Sequence, residues 1–143
     1  MIYLEKPENF NSIFEVVSCF FEKDGKFLML LRQDYKPQGN TWGVPAGKVE
    51  LKEKPLDAMR RELEEETGYK TNKDNFKFTK IIYVKYPNYD FIYHIYSFSL
   101  KENFDVKIDI KAHKEFQWVM PQEALSMDYI QDLDACIKIQ YNL

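Results

Sequence analysis

The sequence has little cysteine, no long apolar run and no excess of positive charge, and each absence excludes a class of protein. Cys19 and Cys136 are the only cysteines among 143 residues. Both lie in apolar segments, which predicts free, buried thiols and a reducing compartment. No apolar run approaches the roughly 18–20 residues that a membrane-spanning helix needs, and the first ten residues lack the charged and apolar regions of a signal peptide. We therefore expect a cytoplasmic protein with no membrane partner.

Charge and length narrow the class further. The formal net charge is −3 and no basic stripe is present, which argues against a nucleic-acid polymer as partner. A chain of this length suits a single domain over residues 1–143, without repeats, linkers or low-complexity tracts. Aromatic residues make up 16%, which favours β-structure and supplies rings that can stack on a nucleobase. The composition does not decide the oligomeric state, and a homodimer stays open.

Apolar patterning predicts strands interrupted by helices. Asp24-Gly25 predicts a tight hairpin turn, because both residues tolerate positive φ. Pro55 suits the first position of a helix, and Gly68 suits the residue after its last turn. The order of strands, helix, strands and helix predicts an α/β sandwich with a mixed sheet between helices. The predicted strands are 13–21, 27–31, 42–45, 76–86, 91–100 and 116–120, and the predicted helical segments are about 55–67, 121–125 and 128–140.

The most informative segment is 47–69, GKVELKEKPLDAMRRELEEETGY. It places Glu62, Glu65 and Glu66 on one helix face. Like charges at this spacing destabilise a helix by about 0.2–0.5 kcal/mol per pair, so the cluster indicates a positive ligand. Mg²⁺ takes oxygen ligands, usually one or two carboxylates together with substrate phosphates. An apolar stripe beside this face should dock on the sheet and leave the glutamates at the mouth of a cleft.

The spacing of this segment resembles the signature box of the Nudix hydrolases. The agreeing positions are Gly47, then Glu53 after five residues, Arg61-Glu62-Leu63 after seven, Glu65-Glu66 after one and Gly68 after one. Eight fixed positions at an average usage of about 7% agree by chance about once in 10⁹ windows. Tyr69 departs from the aliphatic residue usual at the end of the box. The resemblance implies a Nudix-like α/β/α sandwich and hydrolysis of a nucleoside diphosphate linked to another group, with Mg²⁺ or Mn²⁺ as cofactor.

The resemblance also implies the metal ligands. Glu62 and Glu66 are the first two, one helical turn apart on the same face. Glu65 is either a third ligand or the base that activates the attacking water. The carbonyl of Gly47 is a further ligand, since a glycine at this point permits close approach of the backbone to a metal.

Other residues are expected to position the ligands or the substrate. The guanidinium of Arg61 should orient one or more glutamates rather than contact substrate. Glu53 is either a water-mediated ligand or a brace for the loop before the helix. Arg32 and Lys48 are candidates for phosphate contacts, and Tyr86 is a candidate for binding the base.

A late segment departs from the family pattern. Many members have an acidic residue followed by His shortly before a Trp, but here Ala112 precedes His113 in the run that ends at Trp118. The missing acid would be a general base or an additional ligand in those relatives. We expect His113 to be a structural or a surface residue. Three residues are left as candidates for the base: Glu115, Asp109 and Glu65.

The substrate is less defined than the reaction. Chain length favours a nucleoside triphosphate pyrophosphohydrolase acting on a small nucleotide. Tyr86 and Pro87 lie near positions that accompany dinucleoside polyphosphate and ADP-ribose activity in related sequences, so these substrates stay as alternatives. A nucleotide-sensing domain without catalysis is the alternative from a different class. Such a domain is expected to lose carboxylates of the box, and this chain keeps them.

Overall fold

The computed structural model describes all 143 residues and contains eight strands and three α-helices. Most of the strands belong to two long stretches on either side of the first helix. In chain order the elements are β1 (Ile2–Tyr3), β2 (Ser12–Lys23), β3 (Lys26–Arg32), β4 (Trp42–Gly43), β5 (Ala46–Lys48), α1 (Pro55–Thr67), a 3₁₀ turn (Lys73–Asn75), β6 (Lys77–Lys85), β7 (Asp90–Ser99), β8 (His113–Val119), α2 (Pro121–Ala124) and α3 (Leu133–Tyr141).

Strand β2 lies at the centre of one mixed sheet of order β1-β6-β7-β2-β3-β4, with β5 added to β2 and β8 added to β3. It pairs with β7 in parallel along most of its length, whereas the other strand pairs are antiparallel. Its end also forms a hairpin with β3, closed by Asp24 at φ 53° and Gly25 at φ 79°. These left-handed conformations are those of the tight turn expected from the sequence.

The sheet opens between β2 and β3, and this opening creates the platform for the site. Near its end β2 pairs with β3, but earlier the same edge of β2 pairs with β5, where Val17 is the partner of Gly47. The corresponding edge of β3 pairs with β4, where Leu30 is the partner of Gly43. Strands β4 and β5 therefore occupy the wedge between β2 and β3, directly before the loop that leads into α1.

The core has two halves, one on each face of the sheet. Alternation along β2 sends Phe20 to one side and Cys19 and Phe21 to the other. On the second side Met59 and Leu63 of α1 are fully buried, and each contributes roughly 1.5–3 kcal/mol of hydrophobic stabilisation. On the first side lie α2 and α3. The predicted α/β/α sandwich with a mixed sheet is confirmed.

Most predicted elements are confirmed, but two of them begin three or more residues away from the predicted position. The helix predicted from residue 128 begins at Leu133. The backbone of Trp42 binds residues 128–130 instead, since its N–H donates to the Asp128 carbonyl at 2.8 Å and its carbonyl accepts the Ile130 N–H at 2.9 Å. Asp132 then adopts φ 66°, a left-handed conformation that a right-handed helix cannot contain. Strand β8 also begins three residues earlier than predicted.

Buried polar and sulfur groups follow the sequence expectations. Both cysteines are free and buried. His94 is buried on β7, and its Nε2 lies 2.6 Å from Glu15 Oε1. No helix of this fold combines the length and the apolar character that crossing a bilayer requires.

Candidate active site

Helix α1 presents two of the predicted carboxylates directly to strand β5. The Ala46 N–H donates to Glu66 Oε1 at 2.7 Å. One turn earlier, the carboxyl group of Glu62 covers the Cα of Gly47, so that a Cβ at residue 47 would lie less than 3.0 Å from the Glu62 carboxyl atoms. The glycine at 47 therefore leaves room for the Glu62 carboxyl group, which a side chain at this position would displace. The role of Gly47 as a carbonyl ligand stays a prediction.

The same two carboxylates are largely removed from water. The side chains of Glu62 and Glu66 are 14% and 13% exposed, whereas that of Glu65 is 57% exposed. Burial raises the pKa of Glu66 well above its ordinary value. Burial also raises the pKa of Glu62, against the opposing effect of the Arg61 guanidinium. Glu62, Glu65 and Glu66 form a carboxylate ridge along α1. Because Glu62 and Glu66 have lost most of their hydration, a bound cation would stabilise their charged forms.

Arg61 holds the ridge to the loop that precedes the helix. Its Nε and Nη2 donate to the two carboxylate oxygens of Glu53 at 2.8 and 2.9 Å. Its Nη1 donates to Glu62 Oε1 at 2.7 Å, and Nη2 also donates to the Lys48 carbonyl at 3.1 Å. The arginine therefore has the bracing geometry expected from the sequence. Its Nη1 lies farther from Glu65, at 3.4 Å from both carboxylate oxygens.

Glu53 contacts both Arg61 and the loop before α1. In addition to the bidentate pair with Arg61, it accepts the Glu50 N–H at 3.0 Å. The hydrogen bonds from Arg61 lower the pKa of Glu53 to about 2, against a smaller effect of burial. Of the two roles left open by the sequence, the geometry favours the brace.

The oxygen donors of the ridge suit a hard divalent cation. No group of three or more His, Cys, Asp or Glu side chains is arranged to hold a metal ion by itself. Glu62 and Glu66 nevertheless form a pair of largely buried carboxylates beside the backbone of β5. Mg²⁺ is usually bound by one or two protein carboxylates, with phosphate and water oxygens completing its shell. The donor set therefore fits the expected cofactor.

A cavity of about 510 Å³ lies beside the ridge and contains all three predicted substrate residues, Arg32, Lys48 and Tyr86. Its volume is within the range of small-molecule sites. Lys48 Nζ lies 4.3 Å above the ring of Phe14, and that ring stacks on Phe91 at 5.0 Å. Ala46 of β5 also lines the cavity. Because the N–H of Ala46 donates to Glu66, this one residue contacts both the ridge and the cavity. Substrate binding by the predicted residues stays a prediction.

Asp132 is a cavity residue that the sequence reasoning missed. Its Oδ2 accepts the hydroxyl hydrogen of Tyr86 at 2.8 Å. Burial and this neighbouring carboxylate raise the pKa of Tyr86 well above its ordinary value, so the hydroxyl stays protonated as the donor. The local sequence carried no signal for Asp132, because the residue was expected inside a helix.

The late segment brings His113, rather than an acid, close to the ridge. Its Nδ1 lies 3.9 Å from Glu66 Oε2. Burial and the nearby charge of Arg32 lower the pKa of His113 to about 4, so the ring is neutral near pH 7. Glu115 and Asp109 are exposed, and neither forms a hydrogen bond or ion pair with a glutamate of the box. The identity of the base stays a prediction.

A second cavity, of about 680 Å³, lies near the other ends of β2 and β7. Only two of its ten lining residues are hydrophobic, and none of them is a predicted site residue. Apolar walls with a few convergent polar groups are typical of ligand pockets. The cavity beside the ridge has that character, and we take it as the candidate substrate pocket.

Comparisons with known proteins converge on one group of sequences. A family model described as the NUDIX domain matches residues 14–137. A CTP pyrophosphohydrolase of Escherichia coli (strain K12) is 30% identical over 111 residues, which are 78% of either chain. A MutT protein from Methanosarcina mazei Go1 superposes with a TM-score of 0.76 at 20% identity, covering 90% of this chain and 94% of its own. The NUDIX domain of Shewanella oneidensis NrtR, solved with ADP ribose, has a TM-score of 0.76 at 17% identity, covering 96% and 92%. These structures share the fold.

Proposed function

This chain belongs to the NUDIX family and is a hydrolase of pyrophosphate bonds; we propose that it converts a nucleoside triphosphate to its monophosphate and pyrophosphate, with Mg²⁺ as cofactor. CTP is the first substrate to test, because the Escherichia coli relative is named a CTP pyrophosphohydrolase. The single observation that carries the proposal is the position of β5. It contacts the carboxylate ridge on one side and an aromatic cavity on the other.

The cofactor assignment rests on the donors that flank β5. Glu62, Glu66 and the carbonyl of Gly47 would hold Mg²⁺, for which Mn²⁺ could substitute. The bound ion would neutralise charge on the pyrophosphate and lower the pKa of a bound water. Arg61 keeps Glu62 in place through the 2.7 Å ion pair. Glu65, more exposed on the ridge, is assigned as the third ligand or as the base.

The lining of the cavity offers contacts for both the base and the phosphates of a nucleotide. Aromatic residues line the cavity, including Tyr86, Tyr89 and Phe91, and such rings provide stacking surfaces for a nucleobase. Lys48 and Arg32 line the cavity as its two cationic side chains. With the base between the aromatic residues, the phosphates would follow β5 past these cations to the ridge.

The polar group beside the aromatic rings favours a base that carries an amino group. An ionised carboxylate only accepts hydrogen bonds, and Tyr86 already donates to one oxygen of Asp132. Cytosine can donate from its amino group to the other oxygen, whereas uracil presents a carbonyl oxygen there. A charge-assisted hydrogen bond is worth roughly 1.5–3 kcal/mol, so CTP should exceed UTP in kcat/KM by about 10–100-fold. In Asp132→Asn the amide can donate to uracil, and this preference should fall or reverse.

The decisive experiment is a substrate panel of the purified chain with Mg²⁺, scored by its phosphate products. CTP should yield CMP and inorganic pyrophosphate, and excess chelator should abolish the reaction until Mg²⁺ is restored. If ADP-ribose yields AMP and ribose 5-phosphate, or a dinucleoside polyphosphate yields two nucleotides, that substrate would replace the triphosphate assignment. The contact proposed for Asp132 is compatible with these alternatives, because adenine also carries an amino group.

The non-catalytic alternative has its own outcome in the same panel. Tight nucleotide binding by calorimetry, without product from any substrate in Mg²⁺ or Mn²⁺, would identify a sensor domain and refute the proposed hydrolysis. A Glu66→Gln variant is the matched control for contaminating hydrolases, because it keeps the length and helix propensity of the side chain.

A further inference from the structure

His113 is turned into the protein by an irregularity at the start of β8. In the pairing of β3 with β8, Leu31 is the partner of Glu115 and Arg32 is the partner of His113, so Lys114 is an extra residue without a partner on β3. An extra residue of this kind re-aims neighbouring side chains and is frequent beside active sites. The effect is visible in the burial: the side chain of His113 is 5% exposed, whereas residues 114–117 are all exposed.

The inward position leaves a polar atom without a partner. His113 Nδ1 is the only buried side-chain nitrogen or oxygen of this structure that lacks a hydrogen bond. Buried polar groups are almost always hydrogen-bonded, so an orphaned atom calls for an explanation. The nearest acceptor in an ion-pair geometry is Glu66 Oε2, at 3.9 Å. This gap is longer than a hydrogen bond, but a small rotation of either side chain would close it.

The other oxygen of the same carboxylate is already fixed. Glu66 Oε1 accepts the N–H of Ala46, whereas Oε2 accepts no hydrogen bond that would fix its position. Carboxylates that bind a metal are usually held by hydrogen bonds from outside the metal shell, and loss of such a partner typically costs 10–100-fold in affinity. We propose that His113 is a positioning residue, which donates from Nδ1 to Glu66 and thereby orients this carboxylate for a divalent cation.

This inference rests on the proposed function, because it assigns Glu66 as a metal ligand. It also explains why a neutral ring suits the site. A neutral imidazole that carries its proton on Nδ1 donates one hydrogen bond and leaves the negative charge of the carboxylate available to a cation.

The test compares three substitutions of the whole chain by Mn²⁺ binding without nucleotide, measured by electron paramagnetic resonance. His113→Asn keeps an amide nitrogen near the position of Nδ1, His113→Gln places it near Nε2, and His113→Leu removes both donors at similar volume. We expect Leu and Gln to weaken Mn²⁺ binding by about 10–100-fold and Asn to stay within about threefold of the natural chain. In a Glu66→Gln background, His113→Leu should cause no further loss, because its target carboxylate is already absent.

The outcomes separate this inference from the proposed function. If the natural chain binds no Mn²⁺ and hydrolyses no nucleotide, the proposed function fails and the inference fails with it. If the natural chain binds Mn²⁺ and His113→Leu binds it equally well, only the inference is overturned. Thermal unfolding of each variant monitors the fold. Should His113→Leu not fold, the Asn and Gln pair decides, and equal Mn²⁺ affinity of these two variants would overturn the positioning role.

Discussion

Substituting Gly47 by alanine should remove Glu62 from the ridge while leaving the fold in place. The new Cβ would lie less than 3.0 Å from the Glu62 carboxyl atoms, where ordinary contact begins at 3.4 Å. The backbone of residue 47 cannot retreat easily, because β5 is paired with β2 at Val17. The flexible end of Glu62 can. The φ angle of Gly47 is not positive, so alanine introduces no backbone strain at residue 47.

The cost to stability should be small and the cost to activity large. Displacing Glu62 breaks its 2.7 Å ion pair with Arg61, a charge-assisted bond worth roughly 1.5–3 kcal/mol. The lower entropy of the unfolded alanine chain returns about 0.4–1 kcal/mol. A net loss of about 1–2 kcal/mol lowers Tm by several degrees. Misplacing a group by about 1 Å in a reacting centre can cost about 10²-fold, and we expect at least that loss in kcat.

The assay is steady-state hydrolysis of CTP with Mg²⁺, accompanied by thermal unfolding and Mn²⁺ titration. Gly47→Ala is compared in the natural chain and in Glu62→Ala, where the space above residue 47 is empty. In that background the substitution should cause no further loss of turnover and should be neutral or slightly stabilising. Normal turnover of Gly47→Ala, or an equal additional loss in both backgrounds, would refute the steric reasoning.

Three further substitutions test the remaining parts of the site. Glu66→Gln should lower turnover at least ~10²-fold with little change in Tm, whereas its matched control Glu64→Gln, which is half-exposed and forms only a surface ion pair, should behave like the natural chain; equal activity of the two would remove Glu66 from the ligands. Arg61→Lys keeps the charge but loses the planar fork, so both turnover and Tm should fall in steady-state and unfolding measurements, and an unaffected variant would contradict the bracing role. Glu115→Gln should leave the pH–rate profile unchanged, because this side chain is exposed and forms no bond to the glutamates of segment 47–69. Glu65→Gln should abolish the limb of the pH–rate profile that reports ionisation of the general base, and the reverse pattern would assign the base to Glu115.

The elements with strong local signals were predictable from the sequence. Helix α1 has the predicted bounds, Pro55–Thr67, and ends at Gly68 with φ 81°. The proline, the glycine and the apolar stripe all act within this segment, so no distant contact is needed to define it. The turn at Asp24-Gly25 is local in the same sense. The start of α3 was mispredicted because the backbone of Trp42, far away in the chain, binds residues 128–130.

The candidate site divides in the same way. Spacing alone placed Glu62, Glu65 and Glu66 on one face of a helix and identified the family, since helical periodicity is a property of the segment itself. The sequence could not distinguish their environments. In the structure two of the three turn toward β5 and lose most of their hydration, while Glu65 stays exposed.

By itself, then, the order of residues determined a helix with an acidic face, which follows a glycine-bearing loop. Tertiary structure decided what surrounds that face. The pairing of β5 with β2 brings a backbone N–H to Glu66, the extra residue in β8 turns His113 inward, and the left-handed conformation of Asp132 accompanies its contact with Tyr86. Each of these contacts joins segments at least 20 residues apart, and strand pairing over such distances depends on the packing of the whole sheet rather than on any local spacing.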